Sequence, residues 1–152
     1  YVEAEGLEGW PARGVLRLGG ESRGAVFEQV EPCPWPEVPD PLPERFKLYF
    51  ATPARFERGW LPRTWSAFLE GDVELVACAL QRYVTIGGFD LSRGEEKPAR
   101  RFVPAGSVYF FRGRGPCRLR WQGRQDGGRA WVPAVTDDGA AFGFGQVLVG
   151  RW

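Results

Sequence analysis

Apolar and polar side chains alternate along several short stretches of this chain, and that period of two predicts strands. Val15-Leu16-Arg17-Leu18 is the first, Ala25 to Val30 a second, and Phe46-Lys47-Leu48-Tyr49-Phe50-Ala51 the clearest, stopped by Thr52-Pro53-Ala54. Val73 to Leu80 is apolar enough for a central strand. Thr85 to Leu91 alternates again, and its pair Gly87-Gly88 predicts a bulge or a close backbone approach. Val108-Tyr109-Phe110-Phe111 follows the turn signal Val103-Pro104-Ala105-Gly106-Ser107, and Gln146 to Gly150 makes a last strand. Leu119 and Trp121 interleave with Arg118 and Arg120, which predicts a strand with one apolar and one cationic face. One short helix is expected, capped by Thr64, running through Phe68 and Leu69 and ending at Gly71.

The stretches between these elements carry the remaining signals. Ser92 to Arg101 reads as a loop held between two strands, and Arg93, Lys97, Arg100 and Arg101 make it cationic despite Glu95 and Glu96. Gly19-Gly20-Glu21-Ser22-Arg23-Gly24 is a turn whose glycines let backbone amides converge on an anion or another chain. It lacks the G-x-x-x-x-G-K-[ST] spacing of a nucleotide P-loop. The run from Pro32 to Pro43 holds six prolines and is a stiff, extended connector. Asp137 to Gly145 is a Gly-rich aromatic loop. Strands with one helix and long Pro and Gly connectors give an α+β class dominated by strands, compatible with either a β-barrel or an RRM-like sheet. The expected organisation is an acidic, Pro-rich segment over residues 1–44 followed by a domain over 45–152. A chain of 152 residues that opens at Tyr1 and contains no Met is expected to be a piece of a longer protein.

Charge changes this picture more than composition does. The net charge is only +1, yet residues 1–44 hold nine acids against three bases, a balance of −6, and residues 93–129 hold ten bases against three acids, a balance of +7. Only Lys47 and Lys97 are lysine, so 18 of the 20 basic residues are arginine, the side chain suited to bidentate phosphate contact and to stacking on bases. A polyanion is the physical expectation for the second segment. No histidine is present, which removes the usual general base and the commonest metal ligand. Cys33, Cys78 and Cys117 are too far apart for a zinc motif or a disulfide framework and suit a reducing compartment. Asp137 and Asp138 are read as solvated carboxylates, so no metal and no cofactor is expected. No apolar run approaches the roughly 20 residues of a membrane span, so a cytoplasmic protein without membrane contact is expected.

The segments LGGESRG (18–24), LYFATPARFERGWLP (48–62), VELVACALQRYVTIGGFDLSRGEEKPARRFVPAGSVYFF (73–111) and FGFGQVLVGRW (142–152) resemble a known family. It is the third subunit of the Cmr effector complex, a RAMP protein of type III-B CRISPR systems, and the likeness is to its C-terminal half. That resemblance implies a ferredoxin-like, RRM-related module with a Gly-rich loop before the last strand. It also implies a non-catalytic, RNA-binding role: helping to hold the 5′ repeat handle of the guide RNA, beside the large polymerase-like subunit and the backbone RAMP subunit. The residues that match its motifs are Gly19, Gly20 and Arg23 in the LGGE-type turn, Lys97, Arg100 and Arg101 in the KP-x-RR segment, and Gly143, Phe144 and Gly145 in the Gly-rich loop. Two other readings stay open: an endoribonuclease that trims the guide precursor, for which Tyr83, Lys97 and Tyr109 are candidates, and a structural adaptor whose basic face meets an acidic neighbour.

Overall fold

The computed structural model describes residues 8–18, 23–31, 36–120 and 133–152. Ten strands appear in chain order: β1 (Arg13–Leu18), β2 (Arg23–Glu28), β3 (Arg45–Phe50), β4 (Leu69–Glu70), β5 (Val73–Ala79), β6 (Val84–Asp90), β7 (Glu95–Phe102), β8 (Val108–Gly113), β9 (Arg118–Leu119) and β10 (Val147–Arg151). The helices among the described residues are two single 3-10 turns, Trp65–Ala67 and Ala140–Phe142. All strand pairings are antiparallel, so the chain is strand-rich with few helical residues, as expected. No helix among the described residues is long and apolar enough to cross a membrane.

The chain divides into two compact units, residues 1–35 and 36–152. In the first, β1 and β2 form a hairpin in register from Arg13↔Glu28 to Leu18↔Arg23. Trp10 packs on Phe27 with ring centroids 5.7 Å apart.

The second unit is built on a four-stranded sheet in the order β10-β3-β8-β5. Alternation decides its two faces. Phe46, Leu48 and Phe50 of β3, Tyr109 and Phe111 of β8 and Val147 of β10 are fully buried on the inner face. The connection from β3 to β5 closes over that face with Phe56, Phe68 and Leu69, joined by Leu119 and Val135. The core is largely aromatic: Phe46 stacks on Phe111 at 5.1 Å, and Phe50 meets Tyr109 edge-on at 5.2 Å. Buried Tyr109 keeps its hydroxyl satisfied by donating to the Trp60 carbonyl at 2.5 Å. The outer face carries the other half of each alternation: Arg45, Lys47 and Tyr49 on β3, and Val108, Phe110 and Arg112 on β8.

Three expectations are corrected. The cationic loop 92–101 is a strand for most of its length: β7 pairs along β6 from Val84↔Phe102 to Asp90↔Glu95. The strands that were expected to hold it are not partners, because β8 lies between β3 and β5. The helix after Thr64 is one 3-10 turn. Thr64 does cap it, accepting from the Ser66 amide at 3.3 Å, but a few residues are too short a run to propagate a helix. The backbone turns out of it to pair β4 with β9, Leu69 opposite Leu119. The basic strand expected over 118–121 is only Arg118–Leu119, and Trp121 lies outside the described residues.

Candidate nucleic-acid interface

The β6–β7 hairpin stands out from the domain. Residues 91–101 are exposed on every side, and the hairpin is rooted only at its end, where Phe102 and Val103 are buried. Val103 exchanges both backbone hydrogen bonds with Ala54, at 2.8 and 2.9 Å. At the far end Asp90 shapes the turn: its Oδ1 accepts from the Ser92 hydroxyl at 2.7 Å and from the amides of Ser92 and Arg93 at 3.0 and 3.3 Å. The Ser92 hydroxyl, with these amides and the charge of Lys97, holds the Asp90 carboxyl below the usual carboxylate range. Gly94 takes a left-handed conformation (φ +68°) to close the turn, and its amide donates to the Asp90 carbonyl at 2.8 Å.

A bulge lies mid-hairpin. The register steps from Ile86↔Arg100 to Gly88↔Lys97, so Pro98 and Ala99 together oppose Gly87. Pro98 has no amide to donate, and the bulge is the place in a ladder where that costs least. The extra residue also decides which cations share a face. Lys97 lies opposite Gly88 and Arg100 opposite Ile86, on one face; Arg101 lies opposite Thr85, on the other. There its guanidinium covers the Tyr83 ring at 4.6 Å, with Arg82 at 5.7 Å from the same ring. Among the described residues, Lys97, Arg100 and Arg101 form no ion pair, although the charge of Lys97 is felt by Asp90. The ion-paired arginines are Arg93 with Glu95 at the hairpin's turn and, away from the hairpin, Arg55 with Asp138, Arg63 with Glu57, Arg114 with Glu74 and Arg118 with Asp40.

The Gly-rich loop meets the root of this hairpin. Phe144 packs on Phe102 with centroids 4.8 Å apart. Gly145 is held at φ +73°, its amide donating to the Pro53 carbonyl at 2.8 Å; a Cβ there would lie 2.6 Å from both Thr136 Cβ and the Val135 carbonyl oxygen. The Gly143 carbonyl accepts from the Thr52 hydroxyl at 2.8 Å. With Phe144 turned inward, it is Phe142 that projects, 80% exposed. Sequence reasoning assigned no stacking role to Phe142 or Tyr83; the first is visible in sequence only as one aromatic among several, the second as the aromatic beside Arg82.

The motif residues therefore fall into groups. Lys97, Arg100 and Arg101 lie on β7, whose last residue, Phe102, packs on Phe144 of the Gly-rich loop, between Gly143 and Gly145. Gly19 and Gly20 lie outside the described residues, and Arg23 begins β2 in the other unit. A family model, CRISPR-associated protein (Cas_Cmr3), matches residues 2–152. The chain belongs to that family. Cas_Cmr3 proteins are subunits of the type III-B CRISPR Cmr complex, so this chain is a component of an assembly with other CRISPR-associated subunits. No curated protein matches it.

Other candidate chemistry in this Cas_Cmr3 chain has structural employment. Asp137 Oδ2 accepts from the amides of Glu57 and Arg63 at 2.8 and 3.3 Å, and Asp138 pairs with the Arg55 guanidinium. Both carboxylates keep contact with solvent, Asp138 63% exposed and Asp137 half-buried, and also pin the loop to the segment after β3. No cluster of three or more metal-ligating side chains occurs among the described residues. Tyr109 is buried, and burial pushes its phenol well above the ordinary value for tyrosine.

Proposed function

We propose that this Cas_Cmr3 chain is a non-catalytic RNA-binding and scaffolding subunit that helps hold the 5′ repeat handle of the guide RNA. The observation that carries this reading is an exposed hairpin on which Lys97, Arg100 and Arg101 form no ion pair among the described residues, rooted through Phe102 against the Gly-rich loop. Cations not held in ion pairs on an exposed strand suit phosphate contacts, which position a nucleic acid without demanding a buried pocket. Exposed Phe142 of the Gly-rich loop gives a splayed base a face to stack on. The strand order supports a ferredoxin-like, RRM-related assignment. Numbering the sheet strands in chain order gives 4-1-3-2, all antiparallel, the order of such a fold. The guide-trimming alternative loses Tyr109, whose hydroxyl is buried against Trp60. In this reading the subunit works in the cytoplasm without a cofactor and joins the large polymerase-like subunit to the backbone RAMP subunit.

The test is equilibrium binding to a guide RNA bearing its 5′ handle against the same RNA with a scrambled handle, across a salt series. Preference for the handle that survives near-physiological salt is the expected result. Equal, steeply salt-dependent binding to both would reduce the surface to a generic polyanion site. Absence of binding would favour the adaptor reading.

A further inference from the structure

Trp60 stands on a turn that is fixed in place yet leaves its ring bare. Arg58 and Leu61 pair across a two-residue loop, the Arg58 amide donating to the Leu61 carbonyl at 3.1 Å, and Gly59 takes the first central position at φ +79°. Primed turns of that length need a left-handed residue there, which glycine supplies. Trp60 follows at the tip, and its carbonyl accepts from the hydroxyl of Tyr109, itself wholly buried on β8. The backbone of the tip is thereby tied to the core. Among the described tryptophans, Trp10 packs on Phe27, Trp65 on Tyr109 and Phe111, and Trp152 on Phe110; the Trp60 ring has no such contact and is 47% exposed. Its indole nitrogen, unlike that of Trp152, donates to no group among the described residues.

The residues round this turn are charged, and their charges balance. Arg63 holds Glu57 through two hydrogen bonds of 2.9 Å, Asp137 accepts from the amides of Glu57 and Arg63, and Asp138 pairs with Arg55. Counting Arg58, three arginines face three carboxylates. A surface of even charge exerts no long-range pull on a polyanion. Arg58 is exposed and forms no ion pair among the described residues. A bare, preorganised aromatic ringed by paired charges, with one arginine left over, has the anatomy of a protein interface: an anchor that fills a pocket on the partner and a polar rim that keeps water out. Tryptophan and arginine are among the side chains most enriched at such anchors.

We propose that the Trp60 turn is the anchor by which this chain docks on another protein subunit of the assembly it belongs to. The indole enters an apolar recess on that subunit, where its N–H finds an acceptor, and Arg58 pairs with a carboxylate beside the recess. Because the Tyr109 hydroxyl and Gly59 already hold the tip, little has to be ordered on binding. The proposal rests on the scaffolding part of the function proposed above and names a surface that performs it. Even charge round a single ring selects protein over RNA, for which cations would need to outnumber carboxylates.

Reconstitution of the Cmr complex from purified subunits tests it, with each other subunit also titrated singly against this protein in the absence of RNA. Trp60→Ala is expected to weaken one of those pairings about thirtyfold or more, the loss of a hot-spot residue, while Trp60→Tyr retains most of it. Arg58→Glu, a change at an exposed side chain outside the core, should weaken the same pairing, and neither variant should alter guide RNA affinity. Pairings of Trp60→Ala and Arg58→Glu that match those of the unaltered protein would overturn the proposal and leave the proposed function standing, with another surface doing the joining. Lower guide RNA affinity in both variants, with every pairing unchanged, would assign the turn to RNA and also overturn it. No pairing by the unaltered protein would overturn both this proposal and the scaffolding reading, while the handle-binding measurement would still decide the RNA-binding half of that function.

Discussion

Phe102 and Phe144, 42 residues apart in sequence, pack with ring centroids 4.8 Å apart and planes inclined by 47°. One ends β7 and the other lies in the Gly-rich loop, so a single aromatic contact sets the basic hairpin against that loop. Phe102 is buried, whereas the residues before it on β7 are exposed.

Removing this contact should loosen the corner. Phe102→Ala is expected to cost about 3 kcal/mol, the low end for a buried Phe→Ala change, because one side of the site is a loop that can relax. Urea unfolding measures the loss. Limited proteolysis should find residues 84–102 cleaved faster than in the unaltered protein.

The two glycines that flank Phe144 should respond differently. At Gly143 (φ +82°) a Cβ would have no atom within 4 Å, so Gly143→Ala should cost only the left-handed conformation, about 1 kcal/mol. At Gly145 the same penalty adds to contacts of 2.6 Å with Thr136 Cβ and the Val135 carbonyl oxygen. Gly145→Ala should exceed about 2 kcal/mol, and thermal unfolding of the pair checks the order.

The hairpin turn should depend on pH through Asp90. Its folded pKa lies below the ordinary 3.8, so its contribution is fully present above the unfolded value and is lost as pH falls through the folded one. An NMR titration should put the Asp90 midpoint below 3.8, with the Ser92 and Arg93 amides moving in step. Asp90→Ala should remove that transition and fray the turn at neutral pH.

Much of the sheet was legible because one buried face imposes alternation. Phe46, Leu48 and Phe50 announce β3, and Tyr109 and Phe111 announce β8. β7 was not legible, because a strand exposed on both faces has no apolar period; its partner β6 defines it. The 3-10 turn after Thr64 escaped for another reason. Trp65, Phe68 and Leu69 have helical spacing, and a long-range pairing of Leu69 with Leu119 outcompetes it. In the site, the basic residues could be read from charge, but the bulge at Pro98 and Ala99, which separates Arg101 from Lys97 and Arg100, could not.

The most direct measurement is the salt dependence of guide RNA affinity for the protein carrying Lys97→Ala, Arg100→Ala and Arg101→Ala together. Each lost phosphate contact should reduce the log–log slope by about 0.7 for single-stranded RNA, so the triple variant should bind more weakly with a slope shallower by about 2. Unchanged affinity and slope, in a protein that remains folded, would contradict the hairpin as an RNA contact.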